Sequence, residues 1–189
     1  IACTYSNDEA SGNSGATNTL KNVTLNYAVS LDGTVESVTE KGASNDSVAT
    51  APIIRVTNVM SSTSTSEENF YILDNRYLFA GISYYVQEKQ HSFTLVNYPN
   101  EEVEDGVIKF YLRHGGTPEK DGVTLISANV AGTYPYLYYK SFDLANYLPT
   151  LPGKEVKIIV EVDENTVNNK LDDERTKKRE YSLTYKVEE

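Results

Sequence analysis

From Lys21 onward, apolar and polar residues alternate at every second position between clusters of turn residues, and no stretch places apolar residues at helical spacing. Strands are predicted over 23–31 and 34–40, joined by Asp32-Gly33, a dipeptide suited to the positive φ angles of a tight hairpin turn. Pro52 opens a third strand, 53–60, at the position where its missing N–H does least harm. The run 61–66 is small and polar throughout, offers nothing to a core, and marks a boundary.

Beyond it the pattern predicts strands over 69–73, 77–86, 91–98, 107–113, 123–130, 134–142, 156–162 and 181–187. Within 107–113, Ile108, Phe110 and Leu112 fall on one face and Val107, Lys109, Tyr111 and Arg113 on the other. Residues 144–148 read as one helical turn stopped by Pro149, and 163–180 as a charged excursion. So many strands and so little helix predict packed sheets: an all-β, antiparallel β-sandwich. The organisation expected is a polar tether (1–20), a small N-terminal β region (21–64) and a C-terminal β-sandwich domain (65–189).

Composition narrows the partners. The 189 residues suffice for a core without disulfides or structural metal, and a net charge of −10, from 17 basic and 27 acidic residues, repels nucleic-acid phosphates. One cysteine and two histidines leave no multi-Cys zinc site and little for a nitrogen-ligated metal, so no metal and no cofactor is expected. Tyrosine is abundant, 15 against 5 Phe and no Trp, which suits sheets with one wet face.

Ile1-Ala2-Cys3 resembles the end of a bacterial lipobox, in which an aliphatic and a small residue precede the cysteine that is thioether-linked to diacylglycerol. The alternative is an incidental cysteine near a chain end. The stretch 4–19, mostly Ser, Asn, Gly, Ala, Thr and Asp, cannot bury enough apolar area to fold alone and reads as a tether. Cys3 is thus the expected lipidation site, and contact with the membrane is expected only through that anchor.

Five short blocks appear in order from Phe70 onward: Tyr77-Leu78-Phe79 with Tyr84-Tyr85; His91-x-Phe93-x-Leu95-Val96; Asp105-Gly106-x-Ile108-x-Phe110-x-Leu112-Arg113-His114; Ser141-Phe142-Asp143-Leu144; and Tyr181-x-Leu183-Thr184-Tyr185. In these the segment resembles the C-terminal β-sandwich domain of the NigD-like family, envelope lipoproteins of gut anaerobes. The resemblance implies a bacterial envelope address, on the outer membrane at its periplasmic or surface face. It also implies an N-terminal OB-like barrel, but residues 21–60 offer about three strands where five are expected, so only a reduced OB-like part is predicted.

Candidate chemistry is sparse. Arg113 and His114 beside Gly115-Gly116 could serve a base, but no spacing supplies the positioned carboxylate and nucleophile that work needs. They read instead as a structural polar pair, Arg113 spanning to Asp105 or Glu119 and His114 capping loop carbonyls. The acids Glu101, Glu102, Glu104 and Asp105 form a solvated loop rather than a cleft with divergent pKa values. Asp163, Glu164, Asp172, Asp173 and Glu174 offer oxygen ligands for calcium without EF-hand spacing, and Lys170, Arg175, Lys177 and Lys178 partly neutralise them.

No Gly-x-Ser-x-Gly elbow is present, so no catalytic residue is assigned and the chain is not expected to be an enzyme. Tyr134, Tyr136 and Tyr138 form the candidate ligand or partner surface. Burying Leu137, the one aliphatic residue of that run, would turn Tyr139 inward with it and leave the three rings outside; the opposite parity would make them core. Pro135 marks an edge strand. The expected role is non-catalytic binding or scaffolding of an envelope protein or glycan. The alternatives are a fimbria-like structural subunit, and a hydrolase built from Arg113, His114 and distant carboxylates.

Overall fold

A computed structural model of the chain describes residues 33, 35–41, 51–57, 69–86, 91–115, 132–168 and 173–188, and the backbone of 2–4 and 24–27. The predicted strand 123–130 lies outside them. Ala2–Thr4 (β1) pairs antiparallel with Thr24–Tyr27 (β2), Cys3 opposite Leu25, within a first unit of residues 1–30. Strand β1 begins where a tether was expected.

Residues 31–189 form a second unit. Its strands are Val35–Ser37 (β3), Arg55–Thr57 (β4), Phe70–Leu73 (β5), Tyr77–Val86 (β6), Ser92–Asn97 (β7), Val107–Gly115 (β8), Tyr134–Asp143 (β9), Glu155–Glu164 (β10) and Lys177–Lys186 (β11). One sheet runs β11-β10-β8-β7-β3. The other is built on β6, with β9 along one side and β5 and β4 in succession along the other. The single turn at Leu144 is present, with the amides of Tyr147 and Leu148 bonded to its carbonyl.

The two sheets enclose one core. Leu78, Ala80, Ile82, Tyr84 and Phe142 from one face Phe93, Leu95, Phe110, Ile158 and Val160 from the other, all at alternating positions. On the outer face of the five-stranded sheet, Val38, Val96, Tyr98 and Tyr111 form a smaller cluster. The antiparallel sandwich of the sequence reading needs one amendment, because β8 and β10 run parallel, as do β3 and β7. Between β8 and β10 the chain crosses to the opposite sheet as β9, and that detour restores the original direction.

Strands that precede the run 61–66 enter both sheets, β3 beside β7 and β4 beside β6. Among the described residues these two strands belong to the sheets of the sandwich rather than to a separate barrel. Each has three residues, too few to enclose a core of its own, and Val38, Ile53 and Val56 are buried in clusters with residues of the larger sheets. Gly33 forms a parallel bridge to Phe142 of β9, and the rest of the predicted hairpin turn, Asp32 and Thr34, lies outside the described residues.

The segment 51–57 is a strap between the sheets. The Ala51 amide bonds the His114 carbonyl, and Ile53 exchanges bonds with Asp163 and Asn165 where β8 and β10 part. Ile54 then bonds Ser83, and β4 continues along β6.

Candidate interaction surface

In β9, Tyr138 meets the Phe93 ring at 6.0 Å and Phe142 is fully buried, so even-numbered residues face the core. Odd-numbered Tyr139 lies on the other face, stacked on Phe79 at 6.3 Å. This reverses the parity expected from burying Leu137, which is 41% exposed. The reason lies further along the strand. Phe142 and Leu144 anchor it in the core, and their register outweighs a single aliphatic residue near its start.

Exposure in β9 therefore follows position rather than face. Tyr134 is 51% and Tyr136 42% exposed, and with Pro135 and Leu137 they make a continuous exposed strand end. Tyr136 rests edge-on against buried Tyr84, ring centres 5.8 Å apart. Of the three tyrosines expected as a platform, two remain outside and Tyr138 packs on the core. The Asp143 amide bonds Gly33 on the side away from β6, so odd residues of β9 direct their backbone groups to the sheet edge. Pro135 therefore withholds no N–H from the ladder with β6.

Arg113 and His114 point to opposite faces of β8 and do not share a site. Arg113 donates to the Tyr98 hydroxyl and lies 5.9 Å from the Tyr98 and Tyr111 ring centres. Of the acceptors expected for it, Asp105 sits in an exposed turn and Glu119 lies outside the described residues. Nearby, Lys41 Nζ is 2.6 Å from the Tyr111 hydroxyl and 3.0 Å from Glu101, to which that hydroxyl donates at 2.5 Å. Burial pushes the Glu101 carboxyl up, but bonds from Tyr111 and Lys41 outweigh it and hold it below the ordinary value. Glu101 is thus structural, while Glu102, Glu104 and Asp105 remain exposed.

His114 is 1% and His91 6% exposed, and His91 Nδ1 lies 2.6 Å from His114 Nε2. His114 Nδ1 is 3.2 Å from the Ala51 carbonyl oxygen and 3.3 Å from that of Pro52. Carbonyls only accept, so Nδ1 carries the hydrogen, Nε2 is the acceptor, and His91 Nδ1 donates to it. Phe93, Tyr84 and Tyr136 complete this aromatic cluster. Burial, and then the neighbouring His91, hold His114 down to about 3, against the pull of the two carbonyls. With both ring nitrogens engaged, His114 is not placed as a general base.

The acidic loop after β10 is tied by side-chain amides. The Asn165 carbonyl oxygen accepts the Val167 and Asn168 amides, Asn165 Nδ2 donates to Thr176 and Asn168, and Asn168 donates to Asp173. Arg175 donates to both Asp173 oxygens, at 2.7 and 2.6 Å. Of the calcium candidates, Asp163 and Glu164 pair with Lys178 and Arg179, and Asp172 lies outside the described residues. Among the described residues no group of three or more His, Cys, Asp or Glu converges.

A groove of about 310 Å³ opens between β5 and β11, lined by Phe70, Ile72, Leu183, Tyr185 and Lys186 among others. The Val187 amide bonds the Lys154 carbonyl and the Val187 carbonyl accepts from Gly153, so odd residues of β11 serve the β10 ladder and even ones face outward. Among the described residues no strand pairs with that outer edge.

The class is that of an all-β sandwich with an exposed aromatic strand end. No protein-family model matches the sequence. No curated protein matches it either. Among solved structures, a candidate lipoprotein from Bacteroides fragilis has a TM-score of 0.63 at 21% identity, over 83% of this chain and 71% of that one. A NigD-like immunity protein from Bacteroides caccae has a TM-score of 0.50 at 17% identity, over 88% of this chain and 67% of that one. The likeness is one of fold, and it agrees with the NigD-like resemblance of the sequence blocks.

Proposed function

We propose that the chain is a non-catalytic, lipid-anchored protein of the bacterial cell envelope that binds or scaffolds an envelope protein or glycan through the start of β9. The observation that carries this reading is the continuous exposure of Tyr134, Pro135, Tyr136 and Leu137, since exposed tyrosines supply rigid contact area and a hydrogen bond together. The lipobox-like Cys3 supports the anchor. Processing there would remove Ile1 and Ala2 and leave Cys3 and Thr4 opposite Leu25 and Thr24. Kinship of fold with a candidate lipoprotein and with an immunity protein supports the address, and an immunity role would itself be one of binding. The division of Arg113 and His114 between two faces of one strand supports a non-catalytic chain.

Two measurements test this. With its native leader, the protein should take up a fatty-acid analogue that Cys3→Ser does not; equal labelling contradicts the anchor. A partner recovered from envelope extract with wild type should be lost with Tyr134→Ala/Tyr136→Ala at unchanged thermal midpoint; equal recovery contradicts the surface.

The outer edge of β11 favours a second reading, a fimbria-like subunit that accepts a strand from a neighbour. Its exposed Lys178 and Lys186 oppose this, because edge lysines discourage strand pairing. Ser182 directs its N–H outward, so Ser182→Pro should leave the fold intact and abolish assembly by that edge.

A further inference from the structure

We infer that the His91–His114 pair is an acid-sensitive latch that holds the strap 51–57 between the two sheets and releases it when the histidines take up protons. His114 binds the strap three times: its carbonyl accepts from the Ala51 amide at 2.8 Å, and its ring Nδ1–H serves the Ala51 and Pro52 carbonyls. That hydrogen-bonding pattern leaves one lone pair on the ring, at Nε2, and the N–H of His91 fills it at 2.6 Å. A first proton on His114 Nε2 obliges His91 to move its hydrogen to Nε2 and accept at Nδ1, and a second sets two N–H groups against each other at that distance, so the doubly protonated rings must part. The neutral pair is satisfied as it stands, the singly protonated pair places a charge where water does not reach, and the doubly protonated pair has no acceptor between its rings.

Among the described residues, none that packs on the pair offers such a charge relief. Among the described residues, the titratable group packed on the pair is Tyr84 from β6, with Tyr136 of β9 edge-on to Tyr84, and Phe93 of β7 stacks on His114 at 4.8 Å. The strap meets the pair through the Ala51 and Pro52 carbonyls, and its one charged side chain, Arg55, is exposed. On β8 the neighbouring cation, Arg113, sits on the opposite face with Tyr98 and Tyr111. From β10, Glu164 touches the strap at the Val56 amide, and its carboxylate is engaged by Tyr181 and Arg179. The depressed proton affinity of His114 fits this picture.

The sign follows from linkage. A histidine free of the fold titrates near 6.5, and His114 in place titrates far lower, so the released state binds more protons throughout the interval between. The latch is closed above about pH 6.5, and below it the opening constant rises about tenfold per pH unit for the proton that His114 takes up. Opening is local, because β4 pairs over only three residues whereas β10 is bonded along both sides.

Native-state hydrogen exchange, corrected for the intrinsic pH dependence of the amides, tests this on the full chain. Between pH 6 and 4.5 the amides of Ala51, Ile53 and Ile54 should lose protection by about tenfold or more per pH unit while those of Ile158 and Val160 hold theirs. Strap protection independent of pH would overturn the proposal, as would strap and β10 amides opening with one common constant. The slope should vanish in His91→Asn/His114→Asn, and its survival there would also overturn it. Should that variant not fold, ¹⁵N shifts of the wild-type imidazoles decide: both rings neutral with hydrogen on Nδ1 at pH 6 is expected, and an imidazolium at either ring contradicts the latch.

Discussion

Gly33 lies so close to Ser141 that a Cβ added to it would stand 1.7 Å from the Ser141 carbonyl oxygen. The contact belongs to the parallel bridge through which the chain touches β9 before entering the other sheet as β3. Gly33→Ala must therefore push backbone from backbone, and a loss of about 1–3 kcal/mol is expected by urea unfolding. An unchanged midpoint would show that the bridge is not part of the native contact set.

The register of β9 makes opposite demands on adjacent residues. Leu137→Ala should change stability by less than about 0.5 kcal/mol, whereas Phe142→Ala, which empties a fully buried site, should cost about 3–5 kcal/mol. Tyr138→Ala should fall between them, since its ring packs on Phe93. Leu137 proving more sensitive than Tyr138 in denaturant titrations would restore the opposite parity.

Tyr84 is fully buried, and its hydroxyl has no partner in hydrogen-bond geometry among the described residues. Burial pushes its ionisation up to about 12, with a smaller opposing pull from the His91 amide. Deleting the hydroxyl removes a buried polar group without leaving a partner stranded, so Tyr84→Phe should be neutral or stabilising by up to about 1 kcal/mol. A loss larger than that, measured by thermal or chemical unfolding, would mean the hydroxyl is bonded in solution.

The outer face of the five-stranded sheet carries an acid-dependent carboxylate, Glu161. Burial pushes Glu161 up, but Lys178 at 2.7 Å and Lys109 at 3.0 Å outweigh it and hold the carboxyl below its ordinary 4.5. A carboxylate depressed in the folded state contributes stability above its unfolded pKa and loses it as pH falls through the folded value. Glu161→Gln should lower stability at pH 7 by about 1 kcal/mol and flatten the decline below pH 4.5. A variant whose acid limb is as steep as wild type would remove Glu161 from the account.

Period-two alternation located the long strands well: 77–86 matches β6 throughout, and 107–113 and 134–142 fall within β8 and β9. Such strands carry enough apolar residues for the alternation to stand out. The short β3 and β4 could be found as strands but not placed, because their partners are far away in sequence and their burial depends on sheets they do not encode.

The histidine pair was legible in part. His91 shares parity with Phe93, and His114 with Phe110 and Leu112, so alternation put both rings on the core side. That they meet depends on β7 pairing with β8 in the register that sets Phe93 opposite His114. For the aromatic strand, position along β9 outweighed side-chain type, and no local pattern reveals where a strand outruns its core.

The central claim, that the exposed start of β9 is the working surface, is tested most directly by photo-crosslinking on intact cells. A photoreactive amino acid placed at Leu137 or Tyr134 should give one discrete envelope adduct, and the same group at exposed Lys157 on the five-stranded sheet should not. Adducts that are absent at both β9 positions, or identical from Lys157, would contradict the account.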